Sequence, residues 1–344
     1  MSYPGGVTEH DHHHGDDEHH HEHPHEHPTG LRGRLLELVR PHSHDSADSV
    51  DEALEDSARG IRAVKVSLVA LAVTALVQGL LVLVTGSVAL LADTVHNASD
   101  ALTAVPLWIA FVLARRRPDQ RFTYGYGRAE DLAGVFVVAM IALSAVVAGV
   151  ESVRRLLDPA PLDHPWVLVA AGLVGFAGNE LVAVYRIRVG RSIGSAALVA
   201  DGLHARTDGF TSLAVVLGAL GVMAGFPLAD PVVGLLITVA ILVVMRGAAR
   251  DIYRRLMDAV DPDLTRAATV SLTETPGVVG LEHLRLRWIG HRMTAEAGIT
   301  VSPDLDLVTA HAICHDAERR LVDRVPKLQD ATIHVSPAEP ASVT

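Results

Sequence analysis

Ala200-Asp201-Gly202-Leu203-His204-Ala205-Arg206-Thr207-Asp208 lies inside an otherwise apolar run, residues 195–221, and it has a twin. Ala92-Asp93-Thr94-Val95-His96-Asn97-Ala98-Ser99-Asp100 repeats the pattern A-D-x-x-H-x-x-x-D at an offset of 108 residues, inside the apolar run 87–114. Residues four apart on a helix share one face, one turn above the other. His96 with Asp100, and His204 with Asp208, can therefore each present an imidazole and a carboxylate together. Ionisable residues in lipid-spanning helices are costly and mark functional sites by default.

Working outward, residues 66–245 are mostly Ala, Val, Leu, Ile and Gly, and the sequence on both sides is polar. A bilayer crossing takes roughly 20 apolar residues. Six stretches meet that length: 66–85, 87–114, 130–152, 166–186, 195–221 and 230–249. The chain thus reads as a polytopic α-helical membrane protein with six transmembrane helices. Only Thr85-Gly86-Ser87 separates the first two, which makes them a hairpin.

Basic residues give the orientation, because loops rich in Lys and Arg stay in the cytoplasm. Arg59, Arg62 and Lys65 precede the first span, Arg115, Arg116, Arg117, Arg121 and Arg128 follow the second, Arg186, Arg188 and Arg191 follow the fourth, and Arg246, Arg250, Arg254 and Arg255 end the sixth. The opposite connections carry only Arg154 and Arg155. This predicts a multi-pass protein of the inner, cytoplasmic membrane with both termini in the cytoplasm. Spans two and five then run in opposite directions, the inverted repeat of many secondary carriers.

Four domains are expected: a disordered His-rich tail over 1–60, a membrane domain over 61–250, a soluble domain over 251–338 and a short tail over 339–344. Residues 8–29 hold ten His among Asp, Glu and Pro, a composition that buries no core and suits loose metal gathering. In the soluble part, 263–275 reads as a helix ending at Pro276-Gly277. Leu284, Leu286 and Trp288 alternate as a strand, as do Ala295, Ala297, Ile299 and Val301. Leu307 to Leu321 reads as a helix and 331–335 as a last strand. The order αββαβ predicts a small two-layer α/β domain. The single cysteine, Cys314, excludes an intrachain disulfide. A formal charge of −11 without a basic patch argues against nucleic acid as a partner.

If the two pairs face each other, two imidazoles and two carboxylates give a four-coordinate site of the kind Zn²⁺ accepts. A departing divalent ion would leave two buried carboxylates that favour proton uptake, so metal and H⁺ compete for one site. Coupled to alternating access, that competition is antiport. Asp93 and Asp201, three residues before each His, are either partners of the imidazoles or structural hydrogen-bonding groups. Arg206 points away from its His and pairs with a carboxylate or a phosphate. Glu180, in the fourth span, is either a proton relay or the partner of Arg206. An intramembrane metalloenzyme would need H-x-x-H-H or H-E-x-x-H boxes with an open coordination position, and the apolar zone has none. A metal sensor or store built on the His-rich tail would not need ligands buried in the membrane.

At these residues the chain resembles the cation diffusion facilitator family. The resemblance rests on Gly86-Ser87-Val88-Ala89-Leu90-Leu91-Ala92-Asp93 leading into His96 and Asp100, on Tyr124-Gly125-Tyr126-Gly127-Arg128-Ala129-Glu130, and on Ala229-Asp230-Pro231, within residues 61–337. It implies six transmembrane helices in the lipid bilayer, a homodimer, and a cytoplasmic αββαβ domain that is ferredoxin-like, as in copper chaperones. It also implies no enzymatic activity, but efflux of Zn²⁺, with Cd²⁺ and Co²⁺ as alternatives, in exchange for H⁺. Imidazole donors favour Zn over harder ions. Relatives bind metal in the cytoplasmic domain. Here His311 and His334 occupy matching places, but Ser336 stands where a carboxylate would, so a rearranged site would draw on His283 or His315. In the loop 117–122, with Tyr126 in place of a His, no metal is expected.

Overall fold

In the computed structural model, residues 46–85, 104–158 and 165–339 are described; His96, Asp100 and Asp93 lie outside them, as does the His-rich segment 8–29. Among the described residues six helices precede the soluble domain: α1 Ser46–Thr85, α2 Ala104–Ala114, α3 Arg128–Leu157, α4 Pro165–Ile193, α5 Ala196–Met223 and α6 Ala229–Leu256. Segments Leu54–Leu80, Arg128–Leu157, Pro165–Ile193 and Ala229–Leu256 are long and apolar enough to cross a membrane. Helix α5 has the length, but Asp201, Arg206 and Asp208 interrupt its first half.

Polarity in the bundle is turned inside out. Leu76, Val146, Val150, Leu181, Leu236 and Val243 project outward with more than half of their surface exposed, whereas Gln78, Asn179, Arg186, Asp201, His204 and Asp208 are buried. An apolar band this extensive on the outside is a surface for lipid.

The sequence places a disordered tail over 1–60, and the structure corrects this from Ser46 onward. Helix α1 begins there and buries Asp56, Ser57, Gly60, Ala63, Val64, Ser67 and Leu71, a face at helical spacing. Gly60 is needed on that face because a Cβ would lie 2.7 Å from the Phe111 ring of α2. Helix α6 likewise runs on to Leu256, past the boundary expected at 250.

Helices α4 and α5 form an antiparallel hairpin. The turn is Gly194-Ser195. Gly194 has φ +75°, a conformation costly for residues with a Cβ, and Ser195 Oγ caps α5 by accepting the Leu198 amide at 3.1 Å. Small residues let the two backbones approach: Gly202 meets Ile187 and Ala183, and Gly172 meets Val216.

The soluble domain follows as α7 Pro262–Thr273, β1 Val278–Ile289, β2 Arg292–Val301, α8 Leu307–Arg324 and β3 Leu328–Pro337, the expected αββαβ order. The sheet order is β1-β2-β3, with β1 and β2 antiparallel and β2 and β3 parallel. Met293, Ala295, Ala297 and Ile299 of β2 face Leu272 of α7 and Ala317 and Leu321 of α8 in one core. Asp261 and Asp306 cap the two helices through the amides of Asp263 and Thr309.

The β1–β2 turn, Gly290-His291, inserts into the Arg-bearing end of the bundle. His291 is 2% exposed. Its Nδ1 lies 2.8 Å from Glu130 Oε2 of α3 and its Nε2 3.2 Å from Ser57 Oγ of α1. Arg255 of α6 donates to the carbonyls of Gly290 and Gly194 while stacking 3.8 Å over the Trp288 ring. Lys327 pairs with Asp56 at 2.6 Å. Sequence reasoning missed this junction. Its one signal was Glu130 at the end of the Tyr124–Glu130 motif; nothing in the pattern around His291 marks it.

Candidate metal site

Of the two predicted pairs, the structure describes one. His204 and Asp208 stand on one face of α5, with Nδ1 to Oδ2 at 3.7 Å, and each side chain is 2% exposed. They lie in the first half of a 28-residue helix, inside the bundle. Among the described residues no group of three or more His, Cys, Asp or Glu is placed to hold a metal, and the other two predicted ligands, His96 and Asp100, lie outside them.

Around the pair the α4–α5 hairpin keeps one register. Arg186 faces Asp201, Asn179 faces Gly209, and Gly175 faces Ser212. The Asp201 carboxylate therefore meets α4, where Arg186 Nη1 lies 2.9 Å from its Oδ2, with both side chains at 2% exposure or less. The partner that Asp201 has among the described residues is this guanidinium on the neighbouring helix. Removing one partner of such a buried pair costs about 3–5 kcal/mol, because the other charge stays behind.

Glu180 is held by Arg206 in a two-pronged pair, Nη2 to Oε1 at 2.6 Å and Nε to Oε2 at 3.1 Å. Both side chains are about 30% exposed, on the flank of the hairpin and not with the buried His204. Asn179 is different. It is 1% exposed, and neither its Oδ1 nor its Nδ2 has a hydrogen-bond partner among the described residues. Burying an unsatisfied amide costs about 1–3 kcal/mol. Nothing in the sequence pattern marks Asn179, because a single Asn in an apolar span carries no spacing signal.

The four histidines expected to share a soluble-domain site fall into two sets. On α8, His311 and His315 stand one turn apart, Nε2 to Nε2 at 3.2 Å, with Glu318 3.3 Å from His315. On the sheet, His283 and His334 flank Gly298 of β2 in register, and the His283 ring lies where a Cβ at Gly298 would stand. The neighbours of Gly298, Ala297 and Ile299, face the helices, so strand alternation puts Gly298 and its two histidines on the sheet face away from α8. Within one chain the four do not converge. Cys314 is not a free ligand either: its thiol donates to the Ile333 carbonyl at 3.2 Å, and burial pushes its pKa up.

In the loop before α3, Asp119 accepts the Arg121 and Phe122 amides and the Tyr126 hydroxyl. These bonds hold its carboxyl below the usual range and raise the Tyr126 hydroxyl.

Residues 64–257 match the family described as "Cation efflux transmembrane domain", and residues 260–338 match "Cation efflux protein, cytoplasmic domain". The "Probable cation efflux system protein Rv2025c" of Mycobacterium tuberculosis is 59% identical over 320 residues, covering 93% of this chain and 96% of the relative. Magnetosome protein MamB of Magnetospirillum gryphiswaldense is 29% identical, covering 78% of this chain and 91% of its own length. The "Cation-efflux pump FieF" of Salmonella newport is 28% identical, covering 79% and 93%.

Proposed function

The chain belongs to the cation efflux family, a family of transporters and not of enzymes, and from that premise we propose that it expels Zn²⁺ in exchange for H⁺ by alternating access. The observation that carries this reading is the His204–Asp208 pair, buried in a helix of the membrane bundle and duplicated in sequence at His96–Asp100. Two imidazoles and two carboxylates suit a tetrahedral transition metal and disfavour hard ions such as Mg²⁺. The two carboxylates balance the charge of a divalent ion. Once the ion leaves toward the far side, protonation is the cheapest way to keep the site in a low-dielectric interior.

In this reading Arg186–Asp201 holds the register of the α4–α5 hairpin so that the His204 face stays aligned. Arg206–Glu180 serves the same end at the flank. The junction of His291, Glu130 and Arg255 ties the soluble domain to the bundle, so that movement of one is felt by the other. The distribution of Lys and Arg supports an inner-membrane protein with cytoplasmic termini, pairing with a second copy through its C-terminal domain.

The test is flux in liposomes holding the purified full chain, a zinc-sensitive dye and an imposed pH gradient. Zn²⁺ movement should follow the gradient, and Asp208→Ala should lower it by at least about a hundredfold, since losing even a residue that only supports a metal ligand costs about 10–100-fold. His96→Asp should shift the preference toward Mn²⁺. Flux indifferent to the pH gradient, or Asp208→Ala carrying zinc like the parent, would sink the proposal.

A further inference from the structure

We propose that Asn179 of α4 is a further ligand of the transported cation, its Oδ1 binding the ion at the level of Asp208; this rests on the reading of His204 and Asp208 as the transport site. Three observations lead there. First, the α4–α5 register places Asn179 opposite Gly209, the residue after Asp208, with the Asn179 Cβ 3.5 Å from where a Cβ on Gly209 would stand. Second, the two helices are in direct contact at this level: a Cβ on Gly209 would also stand 3.6 Å from the Phe176 ring, at ordinary van der Waals distance. Third, Asn179 is 1% exposed with both amide atoms unpaired among the described residues.

Buried polar groups in native structures nearly always have partners, and the exceptions ask for a ligand or a water. In the bundle the alternatives are few. Arg186 sends Nη1 toward Asp201 and lies seven residues along α4 from Asn179, and Glu180 is held by Arg206. Gln78 reaches toward the Ala171 carbonyl at 3.4 Å and Thr74 donates to Ala70, both on the α1 side of α4. A cation held by His204 and Asp208 would bring what the amide lacks: a positive charge for Oδ1, and water in its coordination shell as an acceptor for Nδ2. An amide oxygen is a neutral donor, so as a fifth position beside the two imidazoles and two carboxylates, an expansion that Zn²⁺ accepts, it leaves unaltered the charge balance that couples ion to protons.

The experiment uses the full chain in liposomes with Zn²⁺ as the probe, comparing the parent with Asn179→Leu, Asn179→Asp and Asp208→Ala. In Asn179→Leu the half-saturating Zn²⁺ concentration should rise about tenfold, the scale set by losing one supporting contact of a metal site, with the saturated rate kept within a few-fold. The same variant in detergent should melt at or above the parent's temperature without metal, yet gain less from added Zn²⁺. Asn179→Asp keeps an oxygen at the site and should restore tight half-saturation, with a changed pH profile. If Asp208→Ala is inactive while both Asn179 variants keep the parent's half-saturation and metal-induced melting shift, the Asn179 assignment is wrong and the transport site stands. If Asp208→Ala is as active as the parent, the site reading falls and takes this one with it.

Discussion

The helix bundle and the C-terminal domain solve burial in opposite ways. In the C-terminal domain apolar side chains such as Leu272, Met293, Ile299 and Leu321 are inside, and His311, His315 and most charges are at the surface. In the bundle Arg186, Asp201, His204 and Asp208 are inside, while Leu236, Val239 and Val243 face out. The contrast follows from the solvent. Water rewards an apolar core in the soluble domain, whereas lipid leaves the helices' outer faces apolar and gives no reward for an apolar interior. A charge kept inside the bundle is therefore either paired to hold helices in register or kept for something that enters.

The largest effect expected from this contrast is at the paired charges. Arg186→Leu should cost about 3–5 kcal/mol because Asp201 remains buried and unpaired, seen as a lowered melting temperature and reduced yield in detergent. Arg186→Leu combined with Asp201→Leu should recover most of the loss. If the double variant is no better than the single, the pair is not acting as a unit. Next comes the outward faces. Val243, 67% exposed on α6, replaced by Lys should cost about 2.5–3.5 kcal/mol of membrane insertion. Val308, 79% exposed on α8, replaced by Lys should stay within about 0.5 kcal/mol. An insertion assay for the first and thermal unfolding of the full chain for the second would expose an error if the two behaved alike.

The smallest effect belongs to the exposed Asp119 turn. Its carboxyl is lowered, by the Tyr126 hydroxyl first and then by the Phe122 and Arg121 amides. The fold thus favours the charged form, and that contribution is complete above the ordinary carboxylate value near pH 4 and fades as the pH falls through the lowered one. Tyr126→Phe should move the titration of Asp119 back up toward the ordinary value, followed by carbon-detected NMR of labelled Asp. An unmoved titration would mean that the hydroxyl contributes nothing.

Legibility differed along the chain for physical reasons. The apolar runs, the αββαβ order and the repeated His and Asp positions were readable because each is a periodic local signal. The limits of α1 were not, since the burial of Asp56 and Ser57 depends on Lys327 and His291, more than two hundred residues away. The two histidine sets of the C-terminal domain looked like one because sequence lists residues without saying which sheet face they occupy.

Sequence alone determined that this chain crosses a membrane, that it ends in a small α/β domain, and that His204 and Asp208 share a helix face, since helix period and hydrophobic length are properties of neighbouring residues. Only the tertiary structure decided that Asp201 meets Arg186, that Glu180 meets Arg206, and that Asn179 stands beside Gly209 with its amide unsatisfied. Those pairings depend on the register of two packed helices, which is set by where small residues let backbones approach and cannot be read from either helix by itself.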